Sequence, residues 1–248
     1  MTEHKYLGEN EGGSRTSRRG FLTGSAKLLG GGALALGLGA APALAKGDHD
    51  EGENNGGVSD IDILNYALVL ERLEYEFYKR FLNRYSERQI EGASIFDGFG
   101  NEVRSKIYQN LVLIRDHEKT HVETLIKVIK SLGGKPVGES EYDFGVNTLK
   151  EYVALAQVLE DTGVSAYDGA IAYIHKAGLQ TAGATIATVE ARHASYLRLL
   201  NGKVPFPNAF DEPKAPQDIC KLVDRLFITD SPFNLKKFCE SLPDKVKT

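Results

Sequence analysis

Tryptophan is absent, methionine occurs once and cysteine twice, at Cys220 and Cys239, in a chain of 248 residues. Two thiols cannot build a four-cysteine zinc module or an iron–sulfur cluster held by four thiolates. A basic excess is missing too: 30 Lys and Arg stand against 34 Asp and Glu, a net charge of −4 with a pI near 5.9. Nucleic-acid binding is driven largely by phosphate neutralisation, so nucleic acid is not an expected partner. What remains, 42% hydrophobic and 26% charged residues, is the composition of a foldable chain long enough to bury a sizeable core.

The first 45 residues read as an address. Ser17-Arg18-Arg19-Gly20-Phe21-Leu22 precedes a Gly/Ala/Leu run from Leu28, and Ala43-Leu44-Ala45 places small residues where a signal peptidase reads. The run holds too many glycines and too few large apolar residues for a span of about 20 residues, so no stable membrane span is expected after cleavage. The segment resembles a twin-arginine signal peptide, which implies export to the periplasm or the extracellular space. That route is known for carrying folded proteins, often with a metal or cofactor inside, so the resemblance also points to a bound metal. Loss of residues 1–45 removes 5 Lys and Arg and 3 Asp and Glu, which leaves 25 against 31 and a charge of −6. Residues 46–57, rich in Gly, Asn, Asp and Glu from Asp48, then read as a flexible leader.

From Val58 the chain reads as helix. Ser59 or Asp60 can cap a first helix whose apolar positions Leu64, Ala67, Leu68, Tyr75, Tyr78 and Leu82 recur at helical spacing. After a loop at Gly92–Gly100, a second stretch carries Ile107, Leu111, Ile114, Val122, Leu125 and Ile129, stopped by Gly133-Gly134 and Pro136. A third runs from about Val146 through Val153, Ala156, Val164 and Tyr167, and a fourth from about Thr181 through Ile186, Val189, Leu197 and Leu200. The spacing predicts an all-α four-helix bundle over residues 58–201. The extension over 202–248 breaks on four prolines, then offers one short amphipathic helix around Ile219–Phe227. Its two cysteines, 19 positions apart, could pair after export or equally stay separate.

The functional signal is a set of charges on the apolar stripes. Glu71, Glu118, His121, Glu160, Glu190 and His193 all fall among core positions, where an unpartnered carboxylate costs several kcal/mol or takes up a proton. Too few Lys or Arg share those stripes to pair them, so a bound cation is the simplest compensation. Glu118-x-x-His121 and Glu190-x-x-His193 place Glu and His on one helix face, able to meet one metal. Glu71 and Glu160 align in a weak repeat: Leu70-Glu71 and Leu159-Glu160 are each followed, seven residues after the Glu, by Tyr78 and Tyr167. One Glu from each of two helices and Glu-x-x-His from each of the other two is the ligand set of a dinuclear carboxylate bundle. Four carboxylates balance two divalent cations. Oxygen and imidazole ligands suit two iron or two manganese ions, and the lack of thiolates speaks against copper(I) and structural zinc.

These motifs resemble the exported bacterial ferritin-like domain: Leu70-Glu71-Arg72-Leu73-Glu74 with Phe77-Tyr78, His117-Glu118-x-x-His121, Leu159-Glu160 with Val164-Ser165-Ala166-Tyr167, and Glu190-Ala191-Arg192-His193. The resemblance covers residues 58–201. It implies a dimetal centre whose relatives oxidise ferrous iron, reduce or disproportionate peroxide, or activate oxygen on organic substrates, so O2 or peroxide joins the metal ions as an expected partner. With no rubredoxin-like cysteine set, iron oxidation, metal binding or catalase-like turnover is favoured over peroxide reduction. An oligomer is compatible with the sequence. The resemblance also implies a long crossover between the second and third helices. Thirteen residues, Gly133 to Gly145, reach about 43 Å, against roughly 30 Å for a 20-residue helix.

Two other readings compete. His117-Glu118-x-x-His121 is also the zinc metalloprotease pattern, with both histidines on zinc and Glu118 as base, though that leaves the second Glu-x-x-His unexplained. A metal-free bundle with a structural or stress-protection role is the other. Glu74, one turn from Glu71, is an outer-sphere group, an alternative ligand or an exposed edge residue. Tyr78 and Tyr167 are expected first as packing aromatics whose phenols could reach a ligand carboxylate. His117, His175 and Arg192 are expected to be solvated or surface-paired.

Overall fold

The computed structural model describes residues 57–247. The expected signal peptide, residues 1–45, and all but Gly57 of the expected leader lie outside the described residues. Asp60–Arg84 forms α1, followed by Glu87–Glu91 (α2), Asn101–Arg104 (α3) and the long α4 at Ile107–Ser131. The crossover carries β1 at Glu141–Tyr142, and Leu149–Ala170 (α5) and Ala177–Leu200 (α6) complete the bundle. α1 packs along α4, α5 along α6, and α1 meets α5 across the centre.

Local chemistry sets where these helices begin. Ser59 and Asp62 form a capping box at α1: Asp62 N donates to Ser59 Oγ at 3.2 Å, and Ser59 N donates to Asp62 Oδ2 at 3.1 Å. Thr148 and Glu151 repeat the device, so α5 starts at Leu149 rather than near Val146. α6 starts at Ala177, a turn before Thr181. Asp60 turns the chain there, its carboxylate accepting from His175 N at 2.7 Å and Lys176 N at 3.3 Å.

Residues 132–148 run the length of α1 as the crossover. Near its start, Asn65 Nδ2 donates to Lys135 O at 3.2 Å and Asn65 Oδ1 accepts from Val137 N at 2.8 Å. Near its end, Arg80 donates to Tyr142 O at 2.8 Å and Arg84 to Asn147 O at 2.9 Å. Below it lie Phe77, edge-on to Phe144, and Phe81, stacked on Tyr152 with centroids 5.0 Å apart.

The C-terminal extension holds more than the one helix expected of it. Pro216–Phe227 is α7, Ile228–Asp230 (β2) pairs antiparallel with β1, and Leu235–Ser241 is α8. Cys220 and Cys239 are disulfide-bonded and join α7 to α8. Ile219, Val223, Leu226 and Phe227 belong to the same apolar core as the bundle helices. Among the described residues no helix is long and apolar enough to cross a membrane.

Candidate metal centre

The bundle helices bring all six predicted residues to one place in the core. Glu71, Glu118, Glu160 and Glu190 are each 0% exposed, and His121 and His193 are buried beside them. His121 Nδ1 lies 3.1 Å from Glu71 Oε2, 3.0 Å from Glu118 Oε2 and 3.3 Å from Glu190 Oε1. His193 Nδ1 lies 3.0 Å from Glu118 Oε1 and 3.1 Å from Glu160 Oε2. Two overlapping groups result, Glu71/Glu118/His121/Glu190 and Glu118/Glu160/Glu190/His193, each with its donor atoms within 4.8 Å of one another. Glu118 and Glu190 belong to both groups. These buried Glu and His groups could hold metal ions, and the donor set fits them: the imidazole nitrogens are shared among several carboxylates, and Glu190 Oε2 has no partner at all.

Tyr78 and Tyr167 do more than pack. Tyr78, on α1, donates to Glu160 Oε1 on α5, and Tyr167, on α5, donates to Glu71 Oε1 on α1, each at 2.5 Å. Burial, then the adjacent Glu160 and Glu71 charges, raise both phenols well above their ordinary pKa, so both keep the proton they donate.

A fifth carboxylate joins the cluster. Glu74 is 4% exposed, not at an open edge, and burial followed by the charges of Glu190, Glu160, Glu71 and Glu118 raises its pKa well above the carboxylate range. Its counterpart in the α1/α5 repeat is Gly163. A Cβ on Gly163 would stand 3.2 Å from Glu74 Oε1 and 3.1 Å from Glu190 Oε2. The glycine makes the room that the extra carboxylate fills. Burial, then Glu118 and Glu160, likewise raise Glu190 well above its usual value, and burial with Glu160 raises Glu118 to about 7. Glu71 goes the other way: burial opposes its ionisation, but His121 and the hydrogen bonds from His121 and Tyr167 hold it below the ordinary value. Burial alone would lower His121 and His193; Glu71 beside the first and Glu160 beside the second raise both instead. Five acids thus face two imidazoles, and without a cation the balance is met by protons held on Glu74 and Glu190.

His117 is exposed and paired, and its partner is the buried His193. Its ring lies edge to edge with that of His193, planes 13° from parallel, and its Nδ1 lies 3.0 Å from His193 Nε2. Burial, then His193 and His121, lower its pKa. A metalloprotease needs His117 and His121 on one ion. Here His117 lies outside both donor groups. His175 pairs with Asp60 at the surface, as expected, and Arg192 is exposed. No sequence signal marked Gly163 or the His117–His193 contact.

An apolar cavity of about 50 Å³ lies at one end of the bundle, walled by Tyr66, Leu70, Leu125, Gly183, Ile186 and Tyr167 among others. Tyr167 therefore borders both the cavity and the carboxylate cluster. The hydroxyl of Tyr66 is buried without a hydrogen-bond partner.

Comparison with known proteins identifies the family of the fold. Protein rds1 of Schizosaccharomyces pombe is 24% identical over 178 residues, which cover 72% of this chain and 41% of that protein, so the chain spans well under half of this relative. The family described as the ferritin-like domain matches residues 59–203, from the capping serine of α1 to just past the end of α6. With its four-helix all-α bundle and its long crossover, the chain belongs to the ferritin-like domain family.

Proposed function

We propose that this protein holds a dinuclear iron or manganese centre and uses it on O2 or peroxide outside the cytoplasm. Glu71, Glu118, His121 and Glu190 would hold one ion, and Glu118, Glu160, Glu190 and His193 the other. The observation that carries this reading is the convergence of four fully buried carboxylates and two imidazoles on shared donor positions, with Glu190 Oε2 left without any partner in a dry interior. Oxygen and imidazole donors favour iron or manganese over copper(I) or structural zinc. When bound, such a pair supplies Lewis acidity and electrons to a small oxidant.

The chain's own residues do the rest. Tyr78 and Tyr167 fix the outer oxygens of Glu160 and Glu71. Glu74 stands beside the cluster, where burial and the neighbouring carboxylates favour its protonated form before a metal is bound. The apolar cavity next to Tyr167 suits a small uncharged molecule and disfavours a hydrated ion, which would lose its water against carbon.

On the same proposal residues 1–45 direct export and are removed, 46–57 form a leader, 58–201 the bundle and 202–248 the extension. The Cys220–Cys239 disulfide supports an oxidising destination. Elemental analysis of protein matured through its own export route tests the centre, with Glu190→Ala beside it and assays of ferrous oxidation and peroxide loss. About two iron or manganese per chain, reduced in the variant, is expected. One zinc per chain, or none of these metals, would overturn it. Conversion of Arg18 and Arg19 to lysine should abolish export and signal removal.

A further inference from the structure

We infer that the two metal positions are unequal, and that His117 makes the position at His193 the tighter and first to fill. The inference rests on the dinuclear reading above and deepens it.

The donor groups are related by the internal repeat: Glu71 answers to Glu160, Tyr78 to Tyr167, and Glu118-x-x-His121 to Glu190-x-x-His193. What surrounds them is not repeated. His117 stands immediately before Glu118, and the residue immediately before Glu190 is Val189, which can neither donate nor accept a side-chain hydrogen bond.

The His193 ring is used at both nitrogens. Nδ1 faces Glu118 and Glu160, the side on which an ion would sit, and Nε2 faces His117 Nδ1 at 3.0 Å. With Nδ1 given to a metal, the ring proton must reside on Nε2, and His117 Nδ1 accepts it. The two rings lie edge to edge and 13° from parallel, the nearly coplanar arrangement that an in-plane N–H···N bond requires. Such an outer hydrogen bond fixes the tautomer of a ligating imidazole and raises its basicity, and its loss typically weakens metal binding 10- to 100-fold. His121 turns its Nδ1 to Glu71, Glu118 and Glu190, and Val189 occupies the repeat position from which a matching imidazole would come. His117 is a positioning residue, acting on the ion through His193.

Anaerobic titration of chelator-stripped full-length protein with Mn(II), followed by electron paramagnetic resonance, tests this. Wild type should bind in two steps. His117→Val, which copies the Val189 side of the repeat, should weaken the first step about 10- to 100-fold and leave the second unchanged. His117→Asn, whose amide oxygen can stand where Nδ1 stands, should restore most of the first step. Melting of the stripped variants measures the fold cost of the lost bond separately from the metal. Two manganese ions bound with the first step intact in His117→Val, a loss spread over both steps, or no rescue by Asn overturns the inference while sparing the dinuclear reading. Fewer than two ions on wild type overturns both.

Discussion

Removing the metal should invert how this protein's stability depends on pH. In the stripped protein Glu118 titrates near 7 because of burial and of Glu160, against an ordinary 4.5. A raised folded-state pKa contributes stability that is complete below the unfolded value and lost as pH rises through the folded one. Ionisation of Glu118 alone should therefore cost the stripped fold about 3 kcal/mol between pH 4.5 and 7. Glu74 and Glu190 add to the loss with the same sign, as do His121 and His193 above the ordinary histidine value. Glu71, which is lowered, opposes them only as pH falls below the carboxylate range. Against a total of about 5–15 kcal/mol the loss should be plain. Metal ions compete with those protons, so the increment that saturating Mn(II) adds should grow with pH. Urea unfolding followed by circular dichroism, at half-unit steps from pH 5 to 8 with and without metal, measures both curves. A stripped protein whose stability holds or rises over that range would refute the argument, because its carboxylates would then not share a dry interior.

Tyr78→Phe keeps the ring and removes the donor to Glu160, and should cost about 1–3 kcal/mol in the metal-loaded protein, read as a fall in melting temperature. Gly163→Ala should separate folding from binding: alanine favours a helix interior by roughly 0.5–1 kcal/mol, but its Cβ crowds the Glu74 and Glu190 oxygens. Manganese affinity should fall without a matching loss of stripped-protein stability; a parallel fall in both would show the crowding to be mere strain. Reduction of Cys220–Cys239 should cost about 3 kcal/mol by thermal melting and leave metal stoichiometry unchanged, since the bond lies in the extension and not at the cluster.

The six central residues were legible because each violates a local rule. An acid on an apolar stripe, three residues from a histidine, is visible in a window of one helix. The order of the four long helices followed from the same periodicity and from glycine and proline breaks. What escaped is non-local. Glu71 and Glu74 are one turn apart and both face inward, and the space for Glu74 is made by a glycine on another helix. The His117–His193 contact joins α4 to α6, and periodicity within α4 predicts only that His117 lies off the core stripe, which is true. The pairing of β2 with β1 joins strands of three and two residues, too short to show alternation.

The tyrosine bonds between α1 and α5 are reciprocal: each helix presents a carboxylate and steadies the other's. Sliding one helix along the other would lengthen both bonds together, so neither half of the cluster can drift out of shape alone. Damage to the seam between these helices, wherever it begins, would be felt by both halves at once.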